Sequence, residues 1–263
     1  MGGMTLSASA VTAASAAWVW VPDNATVIEG DQYTILRLPD YFDYQLTVLE
    51  FQPAGPLGDA VDAVLARARS FGLPELRWQV RLDDPAELAA ELMSRGARPE
   101  VTLDVMASDL SGGAPALPPP AADVTIRWAT DLERQRDGSA VVVTGFGGAI
   151  PPDERLAANA ARDAATVHAG EGGMLVAYVN GLPAGSGGVT MADGVARLWG
   201  GVVAPPARRQ GIYRAVLDAR LSYAVTFGAT MALVKANVAT SGPILRKAGF
   251  TAFGQEPLLD VPL

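Results

Sequence analysis

The chain has 263 residues, 49% of them apolar and 18% charged, with a formal net charge of −8. This composition supplies a sizeable core and excludes both a disordered polyelectrolyte and a general nucleic-acid or membrane-surface binder, which depend on polar content or basic patches. The absence of cysteine excludes disulfides and thiolate chemistry, and a single histidine, His168, argues against a zinc centre.

In chain order, residues 1–17 are rich in Ser and Ala but lack a basic segment and a compact leucine-rich stretch. Residues 1–30 therefore read as a flexible or loosely docked N-terminus rather than a secretory signal. No apolar run reaches membrane-spanning length, so a cytoplasmic location is expected. High Ala, Gly and Arg with little Lys suggests a high-GC bacterial source. Alternation and β-branched residues predict strands at 33–38 and 45–51. After a Pro/Gly loop at 53–58, a helix is expected over 60–71, with Val61, Val64, Leu65 and Ala68 on one face and Gly72 as its stop. A strand at 76–80, a helix from Pro85 through Leu88, Leu92 and Met93 to Gly96, and a strand at 101–106 follow. Residues 111–122 form a Gly/Pro linker, semi-rigid at its proline run, between a first domain (31–110) and a second (123–263).

The second domain opens with a strand at 124–128 and a helix over 131–145, with Asp131 as its cap. An alanine-rich helix covers 152–167. Strands at 174–179 and 184–191 flank an Asn180-Gly181 hairpin turn, and Asp193-Gly194 turns the chain into a strand over 195–203. Apolar spacing at Ala215, Val216, Ala219, Tyr223 and Phe227 predicts a helix over 213–227. A strand at 231–236, a short helix at 242–247 and a final strand over 250–263 complete the chain.

An internal half repeat links the two domains. Ala63-Val64-Leu65 with Phe71-Gly72 resembles Ala215-Val216-Leu217 with Phe227-Gly228. Each group precedes a strand, a short helix and a glycine stop (Gly96, Gly249), and each copy ends in Leu-Asp-Val, at 103–105 and 259–261. The copies differ before the helix. The second has Arg208-Arg209-Gln210-Gly211; the first has Gln52-Pro53-Ala54-Gly55-Pro56-Leu57-Gly58, without arginine and with prolines that remove amide donors.

The junction at 203–215 carries the chemistry. A helix whose first amides lack intrahelical partners, fed by a loop with two arginines, is suited to an anion, and the guanidinium fork matches phosphate oxygens. As written, Val203-Ala204-Pro205-Pro206-Ala207-Arg208-Arg209-Gln210-Gly211-Ile212-Tyr213-Arg214-Ala215 resembles the acetyl-CoA signature of the GCN5-related N-acetyltransferases (GNAT), Arg/Gln-x-x-Gly-x-Gly/Ala at a strand-to-helix junction. Arg208 and Gly211 match, and Tyr213 replaces the second small residue. The resemblance covers 124–263 well and 33–110 weakly. It implies an α+β fold of two GNAT-like units. Each is a mostly antiparallel mixed sheet flanked by helices, the first degenerate and the second with a splayed strand pair for CoA.

The resemblance further implies acetyl-CoA as cosubstrate, held by Val202, Val203, Arg208, Arg209, Gln210, Gly211, Ile212, Tyr213, Arg214, Asn237 and Ser241, and no metal. Arg209 and Arg214 read equally as solvated charges, and Asn237 and Ser241 as helix caps. Paired glycines inside the apolar strand at Gly200 and Gly201 suggest a bulge or a close backbone approach, and by the resemblance an amide near Gly201 or Val202 would polarise the thioester carbonyl. The family's tyrosine acid falls on Leu245 and is absent; Ser241, Thr240 or water are the substitutes, or the thiolate leaves without help. Glu171 and Glu133 are candidate bases that also read as surface charges. The expected activity is direct acetyl transfer to a primary amine, with a small-molecule acceptor. A non-catalytic acyl-CoA sensor is the alternative. The expected molecule is a monomer or homodimer without nucleic-acid or membrane partners.

Overall fold

The computed structural model describes residues 6–121 and 123–263. Its elements begin with α1 (Ala8–Ala16), β1 (Thr26–Glu29), β2 (Tyr33–Arg37), β3 (Leu46–Phe51), α2 (Leu57–Arg69), β4 (Glu75–Gln79), α3 (Leu88–Ser94) and β5 (Arg98–Asp109). There follow β6 (Val124–Trp128), α4 (Leu132–Phe146), α5 (Asp153–Ala169), β7 (Gly172–Val179), β8 (Leu182–Ala192) and β9 (Val195–Val203). A 3-10 turn (Pro205–Ala207), α6 (Ile212–Thr226), β10 (Met231–Asn237), α7 (Ser241–Lys247) and β11 (Thr251–Pro262) end the chain. Among the described residues no helix is long and apolar enough to cross a membrane.

Two compact units form, and neither is contiguous in sequence. Unit A contains Met106–Lys235 and Ile244–Thr251; unit B contains Ala8–Val105, Ala236–Pro243 and Ala252–Leu263.

In unit A the strands lie in the order β10-β9-β8-β7-β6. β6 to β9 pair antiparallel, and β10 pairs parallel with β9. Both expected hairpin turns are of the primed kind, with Asn180 and Gly181 at φ 52 and 76, and Asp193 and Gly194 at φ 52 and 74. Their left-handed backbone matches the twist of the strands they join. Along β7 successive side chains alternate between faces. Leu175 and Ala177 pack with Ile212 and Val216 of α6, whereas Met174 and Val176 pack with Ala129 on the other side. Helix α4 starts at Asp131, whose side chain accepts the Arg134 N–H at 2.9 Å. Helix α6 presents Ile212, Val216, Leu217, Arg220, Leu221 and Ala224 to the interior. This corrects the apolar face expected from sequence, since Phe227 is 44% exposed.

In unit B the order is β1-β2-β3-β4-β11-β5. Strand β11 pairs antiparallel with β4 from Leu258 opposite Gln79 to Pro262 opposite Glu75. Its Leu259 and Val261 therefore join a core with Leu46, Val61, Val64, Leu76 and Trp78. Both Leu-Asp-Val repeats thus lie in the sheet of this unit, on β5 and β11.

Of the N-terminal stretch read as flexible or loosely docked, residues 1–5 lie outside the described residues, as does Ala122 of the linker. Val11 of α1 is fully buried, and the Ser15 hydroxyl donates to Glu256 at 3.1 Å. Alanine is the strongest helix former, and tertiary docking supplies the stability that a short helix lacks alone. Strand β1 adds to β2 in antiparallel register.

Beside this contact Glu256, fully buried, also accepts from Gln79 Nε2 and from the Leu82 N–H. Asp84 lies near it and accepts the Arg81 N–H at 2.7 Å. Burial raises the Asp84 carboxyl to about 6, aided by the charges of Asp83 and Glu256 and opposed by the Arg81 hydrogen bond. A folded-state value above the unfolded one means that the unfolded chain releases its proton first. Stability is therefore lost as pH rises from about 4 to about 6 and stays lower above that. Asp84→Asn, which keeps an acceptor for Arg81, is expected to stabilise the protein at pH 8 by about 1–2 kcal/mol after allowing for solvent screening. It is expected to be neutral near pH 3.5. Urea denaturation at the two pH values checks this, and an equal effect at both would contradict it.

Candidate functional site

Strand β9 is paired differently on its two sides. Toward β10 the register runs from Val195 opposite Met231 to Leu198 opposite Val234 and ends there, so residues 199–203 part from β10. Toward β8 the pairs Gly188–Trp199 and Ser186–Val202 bracket a register shift that sets Gly200 and Gly201 against Gly187 alone. This is the bulge that the paired glycines indicate, and Gly200 takes φ 59. Both features arise within one stretch: a strand that has lost its neighbour on one side and is bent by an extra residue on the other.

The loop after β9 follows from local chemistry. Pro205 opens the 3-10 turn, Arg209 turns left-handed at φ 64, and Gly211 does so at φ 84 as the N-cap of α6. Among the described residues no side chain caps this helix. Its first-turn N–H groups have no acceptor within the helix and point out of its start. Arg208 and Arg209 are exposed, and the Arg208 Nε donates to the Val203 carbonyl at 3.3 Å. Arg214 folds back, with Nη2 beside Gly211, and its buried Nε has no hydrogen-bond partner among the described residues. The linker braces the loop: the Ala121 N–H donates to the Gln210 carbonyl at 3.0 Å, and Pro120 packs against Gly211. Three arginines around one helix start make a local positive field in an acidic chain.

Val202, Val203, Arg208, Arg209, Gln210, Gly211, Ile212, Tyr213 and Arg214 thus lie together in unit A, on one strand end and the helix start that follows. Val202, Val203 and Ile212 are buried. Asn237 and Ser241 belong to unit B. The Asn237 side chain accepts the N–H groups of Ala239 and Thr240 at 2.9 and 3.2 Å, which is a turn-capping role, and Ser241 is the first residue of α7. Leu245, at the position of the family's tyrosine, is fully buried. Glu133 in the first turn of α4, Glu171 between α5 and β7, and His168 near the end of α5 are all exposed.

Sequence reasoning missed Arg220. It is 2% exposed, and its guanidinium donates to the carbonyls of Val216, Gly188 and Trp199 at 3.2, 3.4 and 3.3 Å. It is also hydrogen-bonded to Tyr213, and burial pulls its pKa below the usual arginine value. The available signal was its position four residues after Val216 on the buried face, where a charged residue breaks the apolar pattern.

Residues 144–250 match the family model of the acetyltransferase (GNAT) family. No curated protein matches the chain. A GCN5-related N-acetyltransferase from Kribbella flavida is similar in structure, with TM-score 0.65 and 18% identity over 97% of this chain and 94% of that one. One from Sphaerobacter thermophilus has TM-score 0.65 and 19% identity over 89% of this chain and 81% of that one. A tandem GNAT protein from the clavulanic acid biosynthesis pathway has TM-score 0.60 and 16% identity over 96% and 87%. At these identities the likeness establishes the fold, a mixed sheet flanked by helices. The family match spans the parted strand end, the arginine loop and α6.

Proposed function

We propose that the protein is a cytoplasmic bacterial N-acetyltransferase that moves an acetyl group from acetyl-CoA to the primary amine of a small molecule. The observation that carries this reading is the parting of β9 from β10 directly before the arginine-rich start of α6. The diphosphate of CoA would meet the amides of 209–214 with Arg208, Arg209 and Arg214, an arrangement of aligned donors and guanidinium groups suited to phosphate oxygens. The pantetheine arm, itself rich in amides, would pair with the unpaired backbone of β9 at Val202 and Val203, as an added strand does. Backbone N–H groups near Gly201 would then polarise the thioester carbonyl. The amine nitrogen attacks the carbonyl carbon, the C–S bond breaks with its electron pair on sulfur, and the amine's surplus proton leaves to solvent or a base. Without cysteine, no acyl group can rest on a protein thiol.

Unit B serves as a degenerate copy in this reading. Its helix α2 starts from Pro56 without an arginine loop, so it would not hold CoA. The protein works without nucleic acid or membrane, as a monomer or homodimer. A non-catalytic acyl-CoA sensor is the second reading, favoured by the buried Leu245 where an acid would stand.

A ligand at a hundred times its dissociation constant stabilises a fold by about 2.7 kcal/mol, so acetyl-CoA is expected to raise the melting temperature. Arg208→Ala is expected to weaken binding roughly 10- to 100-fold, the worth of a hydrogen bond to a charged group, while substitutions at 53–58 leave it unchanged. No shift with acetyl-CoA or CoA would reject both readings. With binding established, thiol release across a panel of amines separates enzyme from sensor.

A further inference from the structure

We propose that Arg220 is a positioning residue for acyl transfer, holding the Gly200-Gly201 bulge of β9 in one shape and setting positive charge behind it. The proposal rests on the transferase reading for its kinetic part and on the observed geometry for its structural part.

A bulge takes an extra residue into one strand and disrupts the ladder around it. Here the Gly188 and Trp199 carbonyls lie at its edge, and Arg220 Nη1 donates to both. The guanidinium thus bridges β8 and β9 at the point where their own pairing is interrupted. Helix α6 supplies it from two turns beyond Tyr213, which shares the same face and hydrogen-bonds to it. Because a guanidinium has no acceptor, it donates to the phenol oxygen, and Tyr213 steadies it in turn.

The strands are built around this pair. A Cβ on Gly187 would stand 2.9 Å from Val216 Cγ1 and 3.2 Å from Arg220 Cζ, and one on Gly201 would stand 3.3 Å from Arg220 Nη2 and 3.4 Å from the Tyr213 hydroxyl. Glycine at 201 leaves room for the guanidinium and the phenol, and glycine at 187 for the guanidinium and Val216. Its hydrogen-bond partners are neutral, and among the described residues no carboxylate offsets the charge. Buried charges are normally paired, and an apolar side chain in such a position fills the core at no electrostatic cost. The uncompensated charge therefore exceeds what packing α6 on the sheet requires. Negative charge develops on the thioester oxygen and the departing sulfur during transfer, and a fixed charge in a dry interior stabilises it most.

The test uses the full chain with Arg220→Met and Arg220→Lys, acetyl-CoA as donor and the best amine of the panel. Arg220→Met is expected to lower kcat about a hundredfold, in the range seen for loss of one preorganised donor, with KM for acetyl-CoA nearly unchanged. Arg220→Lys, which keeps the charge, is expected to recover about tenfold of that loss. A kcat for Arg220→Met close to wild type, or equal losses in both variants with KM rising in proportion, would overturn the role in transfer. Hydrogen exchange of the 199–202 amides without ligand reads the shape alone, with acceleration expected in Arg220→Met and no change counting against it. If wild-type protein transfers acetyl to no amine, the transferase reading and the kinetic part fail together, while the exchange result still decides the bulge. If Arg220→Met does not fold, Arg220→Lys carries both measurements, since a near-wild-type kcat with unchanged exchange would reject the proposal.

Discussion

Gly211→Val is expected to abolish measurable acetyl-CoA binding, a loss of at least about a hundredfold, while the protein stays folded. Two penalties act at once. Gly211 sits at φ 84, where a β-branched residue is a steric outlier costing on the order of 1–2 kcal/mol or more. A Cβ there would also fall 2.8 Å from the Cα of Pro120, a backbone atom on a segment held by the hydrogen bond from Ala121 to Gln210. A backbone neighbour cannot swing aside as a side-chain tip does, so the loop itself must move. That displaces the first-turn amides and Arg214 together, and cooperating donors lost as a group cost more than any one of them. Gly55→Val is the matching control in unit B, because a Cβ at Gly55 meets nothing within 4 Å. Titration calorimetry with acetyl-CoA reads the binding, and circular dichroism reads the fold. Wild-type affinity in Gly211→Val would show that the helix start is not the phosphate site.

The largest stability effect is expected at Asp163. This carboxylate is 2% exposed on α5 and accepts from Gln135 Nε2 of α4 and from the Met174 N–H of β7, both at 3.0 Å. One side chain therefore ties two helices to a strand. Arg162, at 3.1 Å, is half-exposed and keeps its solvation when the carboxylate goes. The Met174 N–H and Gln135 amide are buried, and Asp163→Ala leaves them without that acceptor. The expected loss is about 3 kcal/mol, up to about 5, from stranded donors and a small cavity. Against a typical total of roughly 5–15 kcal/mol this is severe. Asp163→Asn retains one acceptor oxygen and is expected to lose about half as much. Urea denaturation midpoints check both, and a loss under about 1 kcal/mol for Asp163→Ala would mean that water replaces the carboxylate.

These two sites differ in how far the sequence reveals them. Gly211 announces itself, because the arginines, the glycine and the strand and helix around them are neighbours in the chain. Asp163 looks like one more polar residue on an alanine-rich helix. Its partners are far away in sequence, at Gln135 and Met174.

The same division runs through the molecule. Local order was legible: the Asn180-Gly181 and Asp193-Gly194 turns, the Asp131 cap, the bulge glycines and the helix start at Gly211 each depend on the backbone preferences of a few adjacent residues. Helix α1 was not legible, because nine residues form a stable helix only when docked, and its buried Val11 and Ser15 report that docking. Nor was the destination of β11, which lies between β4 and β5 in unit B, because strand pairing depends on long-range register. Arg220 was hidden for a related reason, since an arginine in sequence reads as surface and only a folded interior gives it carbonyl partners.

At the strand-to-helix junction the sequence by itself determined the loop's chemistry: its arginines, its glycine and the helix start that follows. Only the tertiary structure decided that β9 parts from β10 beside that loop, that Pro120 braces it and that a buried charge stands behind the bulge. The physical reason is range. Dihedral preference acts between chain neighbours, whereas pairing, burial and uncompensated charge depend on residues that meet only in the folded protein.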